Sequence, residues 1–148
     1  MTSFTSHTVR AASATLLVLA VASLSGCSMV EEQFNKQRSS SFASVDEAPA
    51  ASAAHESWVP ADATDIHIVE ATLEGAEDAS ILFTSGSPLD PALCSEVPRL
   101  SGPSYTIDGA PDSFSTDTVF ACGDWSVIAS ETGWFGWAPN HPDERADG

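Results

Sequence analysis

Three cysteines, Cys27, Cys94 and Cys122, carry the chemistry this sequence offers most directly. Cys27 closes the stretch Leu24-Ser25-Gly26-Cys27, where one apolar and two small residues stand directly before a thiol. The stretch ends an uncharged apolar run, Ala11 to Ser23, preceded by a short segment containing Arg10. A charged start, an apolar run and a small-residue site, in that order, mark an exported and cleaved leader. The run is too short for a comfortable bilayer span, which needs about 20 apolar residues.

With Cys27 set aside, Cys94 and Cys122 remain as a pair. In an exported small domain the expected chemistry of such a pair is a disulfide. The rival readings are a reactive thiol or half a metal site, and no histidine lies close in sequence to either cysteine. Other chemistry is sparse. His67 is the one histidine in the middle of the expected domain, placed mid-strand, where a surface or satisfied ring is the ordinary reading. Asp108, Asp112 and Asp117 share a loop with Gly109 and Ser113, but without the spacing of a calcium-binding EF-hand. No Gly-x-Ser-x-Gly elbow and no phosphate-binding glycine loop occurs. We therefore expect no catalytic residue, no metal and no cofactor. Recognition residues are sought among the tryptophans: Trp58, Trp134 and Trp137 are the candidates, since exposed tryptophan is a common anchor for protein or sugar partners.

The Leu24-Ser25-Gly26-Cys27 stretch at the end of its apolar run resembles the lipobox of bacterial lipoproteins. That resemblance implies cleavage before Cys27 and a diacylglyceryl group on its sulfur, with palmitate-like acyl chains. Two chains anchor stably where one is marginal, because each buried methylene adds about 0.8 kcal/mol. Three further stretches resemble small lipoproteins of actinobacteria: Trp58-Val59-Pro60-Ala61-Asp62-Ala63 with Ile66, Cys122-Gly123-Asp124-Trp125, and Trp134-Phe135-Gly136-Trp137-Ala138-Pro139. This second resemblance spans Trp58 to Pro139 and carries no activity with it.

Charge narrows the partners. The chain has 148 residues, 5 of them basic and 21 acidic, for a net charge of −16. Loss of residues 1–26 removes Arg10 alone, leaving 4 basic against 21 acidic residues, or −17. Nucleic acid demands a basic footprint and is excluded as a partner. Electrostatic adhesion to anionic lipid is excluded in the same way, so membrane association rests on the anchor.

The positioning elements follow from periodicity. Residues 1–26 form the leader and 27–57 read as a flexible tether, rich in Ser, Ala and Pro and poor in large apolar side chains. The globular domain is expected over 58–139 and a disordered tail over 140–148. Strands are expected at 65–71, 80–84, 118–122, 125–129 and 134–138, with a further short one at 105–107. Asp90-Pro91 has the form of a helix start and predicts a short helix over 91–97. Gly133 suits a hairpin loop at positive φ. The stretch 98–117 is long for a structureless segment. Together these predict an α+β fold: a mainly antiparallel sheet of four or five strands, one short helix and one disulfide. The expected protein is a non-enzymatic binding or assembly domain, lipid-anchored at the cell membrane on its extracytoplasmic side, with an envelope protein or glycan as partner. A small cell-surface hydrolase or an enzyme inhibitor is the alternative.

Overall fold

A computed structural model describes residues 36–145. The leader, Cys27, residues 28–35 and residues 146–148 lie outside the described residues. Among the described residues there are seven strands: β1 (Gln37–Ser44), β2 (Thr64–Ala71), β3 (Ala79–Thr84), β4 (Ser95–Pro98), β5 (Thr118–Cys122), β6 (Trp125–Ala129) and β7 (Gly133–Ala138). They form one sheet in the order β1-β2-β3-β7-β6-β5-β4, antiparallel at every pairing. Two meanders, β1-β2-β3 and β4-β5-β6-β7, meet at the β3–β7 seam.

This corrects the α+β expectation. Among the described residues there is no α-helix, only short 3-10 turns, and seven strands replace four or five. Asp90 does cap a turn: its side chain accepts from the amide of Ala92 at 2.8 Å, and its carbonyl from Cys94 at 2.9 Å. The turn stops there because Ser95 enters β4 and pairs with Ala121. The expected strand at 105–107 is absent. Part of the segment read as tether is β1, and part of the rest packs onto the sheet, with Ala48, Ala53 and Ala54 buried. The described part of the expected tail, residues 140–145, also packs, since Asn140 and Glu144 are buried.

Strand alternation divides the apolar side chains between two faces. On the first, Ile66, Ile68, Ile81, Phe83, Trp125 and Val127 meet Trp58 and Leu89 from the connecting segments. On the second, Val119, Ile128, Phe135 and Trp137 lie under the 98–117 segment, with Ile107 and Ala110 packed against them. That segment is therefore the cover of the second face, which explains its length. Ser80 Oγ, in β3, ties it down by donating to the carbonyl of Tyr105 at 2.9 Å. Trp137 is fully buried, and truncating a side chain of that size at such a site costs about 3–5 kcal/mol.

Cys94 and Cys122 form a disulfide, with Cα atoms 4.3 Å apart. It links the turn before β4 to the end of β5. The Gly123-Asp124 loop closes the β5–β6 hairpin, with Gly123 at φ 61°. Gly133 is not at positive φ. Its requirement is close approach: a Cβ there would lie 2.2 Å from the carbonyl oxygen of Phe83.

Candidate functional site

The two edges of the sheet differ. β4 is four residues long, ends in Pro98 and starts beside the disulfide. Short length and proline are the usual protections of an edge strand. β1 is eight residues long, has no proline and keeps an unbroken register with β2. Its sequence, Gln37-Arg38-Ser39-Ser40-Ser41-Phe42-Ala43-Ser44, is mostly small and polar, which leaves backbone accessible.

Backbone direction along β1 follows from two hydrogen bonds. The carbonyl of Lys36 accepts from Thr72 at 2.9 Å, so residue 36 faces β2. The amide of Ala43 donates to Glu47 Oε2 at 3.3 Å, on the outer side. Residues alternate in this respect along an antiparallel strand. The backbone groups of Gln37, Ser39 and Ser41 therefore face outward, where no strand among the described residues pairs with them.

A concave surface flanks β1 on each side. The first is lined by Ser40, Phe42, Pro49, Ala51, Ser52 and Ile68. At its end Arg38 forms a close ion pair with Glu70. The second is lined by Ser39, Ser41, His67, Val69, Ile107 and Asp108.

In the second surface Ser41, His67 and Asp65 form a hydrogen-bonded chain. Ser41 Oγ lies 3.0 Å from His67 Nδ1, and His67 Nε2 lies 3.2 Å from Asp65 Oδ1. A carboxylate only accepts, so Nε2 is the donor to Asp65. Asp65 holds its place through a bulge: two β2 residues, Asp65 and Ile66, face one β3 residue, and Asp65 takes φ 48°. Aspartate tolerates that left-handed conformation better than most residues.

Serine, histidine and aspartate are the residue types of a hydrolase triad. Here, however, the His67 side chain is 41% exposed and that of Asp65 is 77% exposed. Water screens the carboxylate at such exposure. The chain fixes the orientation of Ser41 and His67 without the dry surroundings that activate a nucleophile. His67 thus lies in β2 with both ring nitrogens hydrogen-bonded.

A second polar cluster lies beneath the sheet. Glu144 is fully buried and accepts from Ser101 N at 2.5 Å, Ser101 Oγ at 2.6 Å, Ser126 Oγ at 2.5 Å and His141 N at 3.2 Å. The amide of Leu100 donates to it as well. Burial pushes this carboxyl up, but the hydroxyls of Ser101 and Ser126 and the two loop amides together outweigh it and hold its pKa below the ordinary glutamate value. Asp62 is also lowered, chiefly by the Ser85 hydroxyl 2.7 Å away. Glu144 fastens the covering loop to the sheet, and its carboxylate is enclosed on all sides.

The tryptophans fall differently from expectation. Trp134 and Trp137 do point to opposite faces. Trp137 is buried, with Nε1 donating to Ser101 Oγ at 3.0 Å. Trp58 is 3% exposed and stacks at a tilt on Trp125, ring centroids 5.6 Å apart. Neither Trp58 nor Trp137 offers a recognition surface, because a small sheet needs both as core. Trp134 is half-buried, its Nε1 donating to the carbonyl of Ser87 at 3.0 Å.

The three loop acids differ: Asp108 lines the second surface, while Asp112 and Asp117 make bonds within their own segment. Asp112 Oδ1 accepts from the amide of Phe114 at 2.9 Å, and the carbonyl of Asp117 accepts from Arg99 N at 2.9 Å. Among the described residues no group of three ligating side chains is placed to hold a metal, and no helix is long and apolar enough to cross a membrane. Sequence reasoning missed the β1 edge and Glu144. The one signal for the latter was Pro142 and Glu144 after His141, the spacing of a capped turn. No protein family, curated protein or solved structure matches the chain.

Proposed function

We propose that this protein is a lipid-anchored, extracytoplasmic binding domain that holds an envelope component through the open side of its sheet. The observation that carries this reading is the division of labour among three cysteines. Cys94 and Cys122 are consumed by a disulfide, which suits an oxidising compartment. Cys27 is left over, at the end of an apolar run in lipobox context. Lys36, where the described fold starts, follows Cys27 by nine residues. A chain that long spans at most about 30 Å, so the domain works close to the bilayer surface.

The inhibitor alternative asked for a protruding loop at 98–117, and that loop is folded against the sheet. The hydrolase alternative has the Ser41–His67–Asp65 chain in its favour and the exposure of that chain against it.

The test begins with the intact mass of native protein from the membrane fraction, with and without reduction and thiol alkylation. The expected chain starts at Cys27, carries a diacylglyceryl increment and exposes two thiols only after reduction. An unlipidated chain retaining Arg10 and the apolar run sinks the anchoring. Crosslinking in cells from photoreactive residues spread over the domain then tests binding. Recovery of no envelope component from an efficient crosslinking series counts against it.

A further inference from the structure

We propose that the outer edge of β1 is a strand-addition site for an extended peptide that alternates basic and apolar residues. This rests on the binding reading above and specifies its partner. Three observations converge on it. The backbone groups of Gln37, Ser39 and Ser41 face outward over a stretch whose register with β2 is unbroken. Such an edge is a ready template for another strand, with main-chain hydrogen bonds supplying affinity. The far edge is closed by short length and Pro98, so the sheet offers addition at one end only.

The two flanking surfaces specify the side chains. Successive residues of an added strand point to opposite faces. One set enters the surface lined by Phe42, Ile68, Pro49 and Ala51, which suits apolar groups. The other set enters the surface lined by Ser39, Ser41, His67, Val69, Ile107 and Asp108, where the acidic group is Asp108, with Asp65 bonded to His67 beside it. Cations suit that side. Overall charge points the same way: residues 36–145 hold 18 acidic residues against 4 basic ones. An acidic strand, or a second copy of this acidic chain, meets repulsion. A basic strand is drawn in.

The test uses the full-length chain in detergent micelles and a fluorescein-labelled heptapeptide of alternating lysine and valine. Fluorescence anisotropy is expected to show saturable binding that weakens as salt rises. Two further peptides carry N-methyl groups on alternate backbone nitrogens, one in each register. One of the two is expected to bind at least tenfold more weakly, because it has lost the donors that face β1. Ser41→Pro removes an outward amide that makes no bond to β2, and is expected to reduce binding by a similar factor. Gly86→Ala, at a residue that lines neither surface and where a Cβ meets nothing within 4 Å, is expected to bind as the native chain does.

If Ser41→Pro fails to fold, the methylated peptides decide the matter alone. Absent binding, or equal binding by all three peptides, overturns the proposal. So does a dimer in sedimentation that Ser41→Pro dissociates, because a second copy then occupies the edge. Recovery of an envelope partner crosslinked elsewhere on the domain, with no peptide binding, leaves the binding reading standing and removes only the edge.

Discussion

The hydroxyl of Ser126, in the middle of the sheet, donates to the carboxylate of Glu144 at 2.5 Å. The two residues lie 18 positions apart, and the contact draws the C-terminal turn under the second face. Its pH dependence has a definite sign. The folded-state pKa of Glu144 lies below its ordinary value of 4.5. The charged network therefore contributes stability above that value, and the contribution fades as pH falls through the folded-state pKa. Glu144→Gln is expected to cost about 2–4 kcal/mol at neutral pH, because amides and hydroxyls built to meet a carboxylate are left with a poorer acceptor. Urea unfolding from pH 7 down to pH 3 should show the gap between native protein and variant closing below about pH 4.5. A gap constant across that range would assign the effect to packing.

Two glycines separate steric need from loop freedom. A Cβ at Gly133 would meet three backbone atoms of Phe83, Thr84 and Ser85 at 2.2–2.9 Å. Backbone cannot swing aside, so Gly133→Ala is expected to cost about 3 kcal/mol or more. At Gly86 a Cβ meets nothing within 4 Å, and Gly86→Ala is expected to stay within about 0.5 kcal/mol of the native protein. Equal melting temperatures for the two variants would contradict the close β3–β7 approach.

The disulfide closes a loop with a sequence separation of 28. In the chain-entropy picture such a loop contributes about 3–4 kcal/mol through the unfolded state. Replacing both cysteines with alanine is expected to lower stability by that amount. Because both side chains are buried beside Trp125 and Trp58, some packing is lost as well. Denaturant midpoints of the variant and the reduced native chain should agree to within the packing difference.

Ser41 is hydrogen-bonded to a histidine that is bonded to an aspartate, and it is nevertheless expected to be inert. A fluorophosphonate probe should leave it unlabelled at neutral pH, because the His67 and Asp65 side chains are open to water. Stoichiometric labelling at Ser41, lost in His67→Ala, would falsify the non-enzymatic reading and move the protein to the hydrolase class.

Much of the sheet was legible because its strands carry strong local signals. β2, β3, β5, β6 and β7 combine β-branched and aromatic residues with turn residues at their ends. β1 was illegible for the same physical reason. Its one large apolar side chain is Phe42, and a serine-rich edge is stabilised by β2 alone, which no local pattern records. The helix expected after Asp90 shows a start signal overridden by tertiary pairing, with Ser95 drawn into β4. For the candidate site, His67 was legible as a mid-strand histidine. Its partner Ser41 lies 26 positions away, across a pairing that sequence spacing could not reveal. The tryptophans were legible as large anchors, whereas their burial depended on the covering segments.

The seam between the two meanders has a consequence for how the chain folds. Every other pairing joins consecutive strands, whereas β3 and β7 join residues from 49 positions apart (Thr84 and Gly133) to 59 (Ala79 and Ala138). Loop-closure entropy makes long-range contacts of this kind late and slow to form. The pairings within each meander span fewer positions, so closure of the β3–β7 seam is expected to limit the folding rate. The strands at this seam are paired on both sides and carry the fully buried Ile81, Phe83, Phe135 and Trp137, so amide exchange is expected to be slowest there and fastest at the two outer strands, β1 and β4.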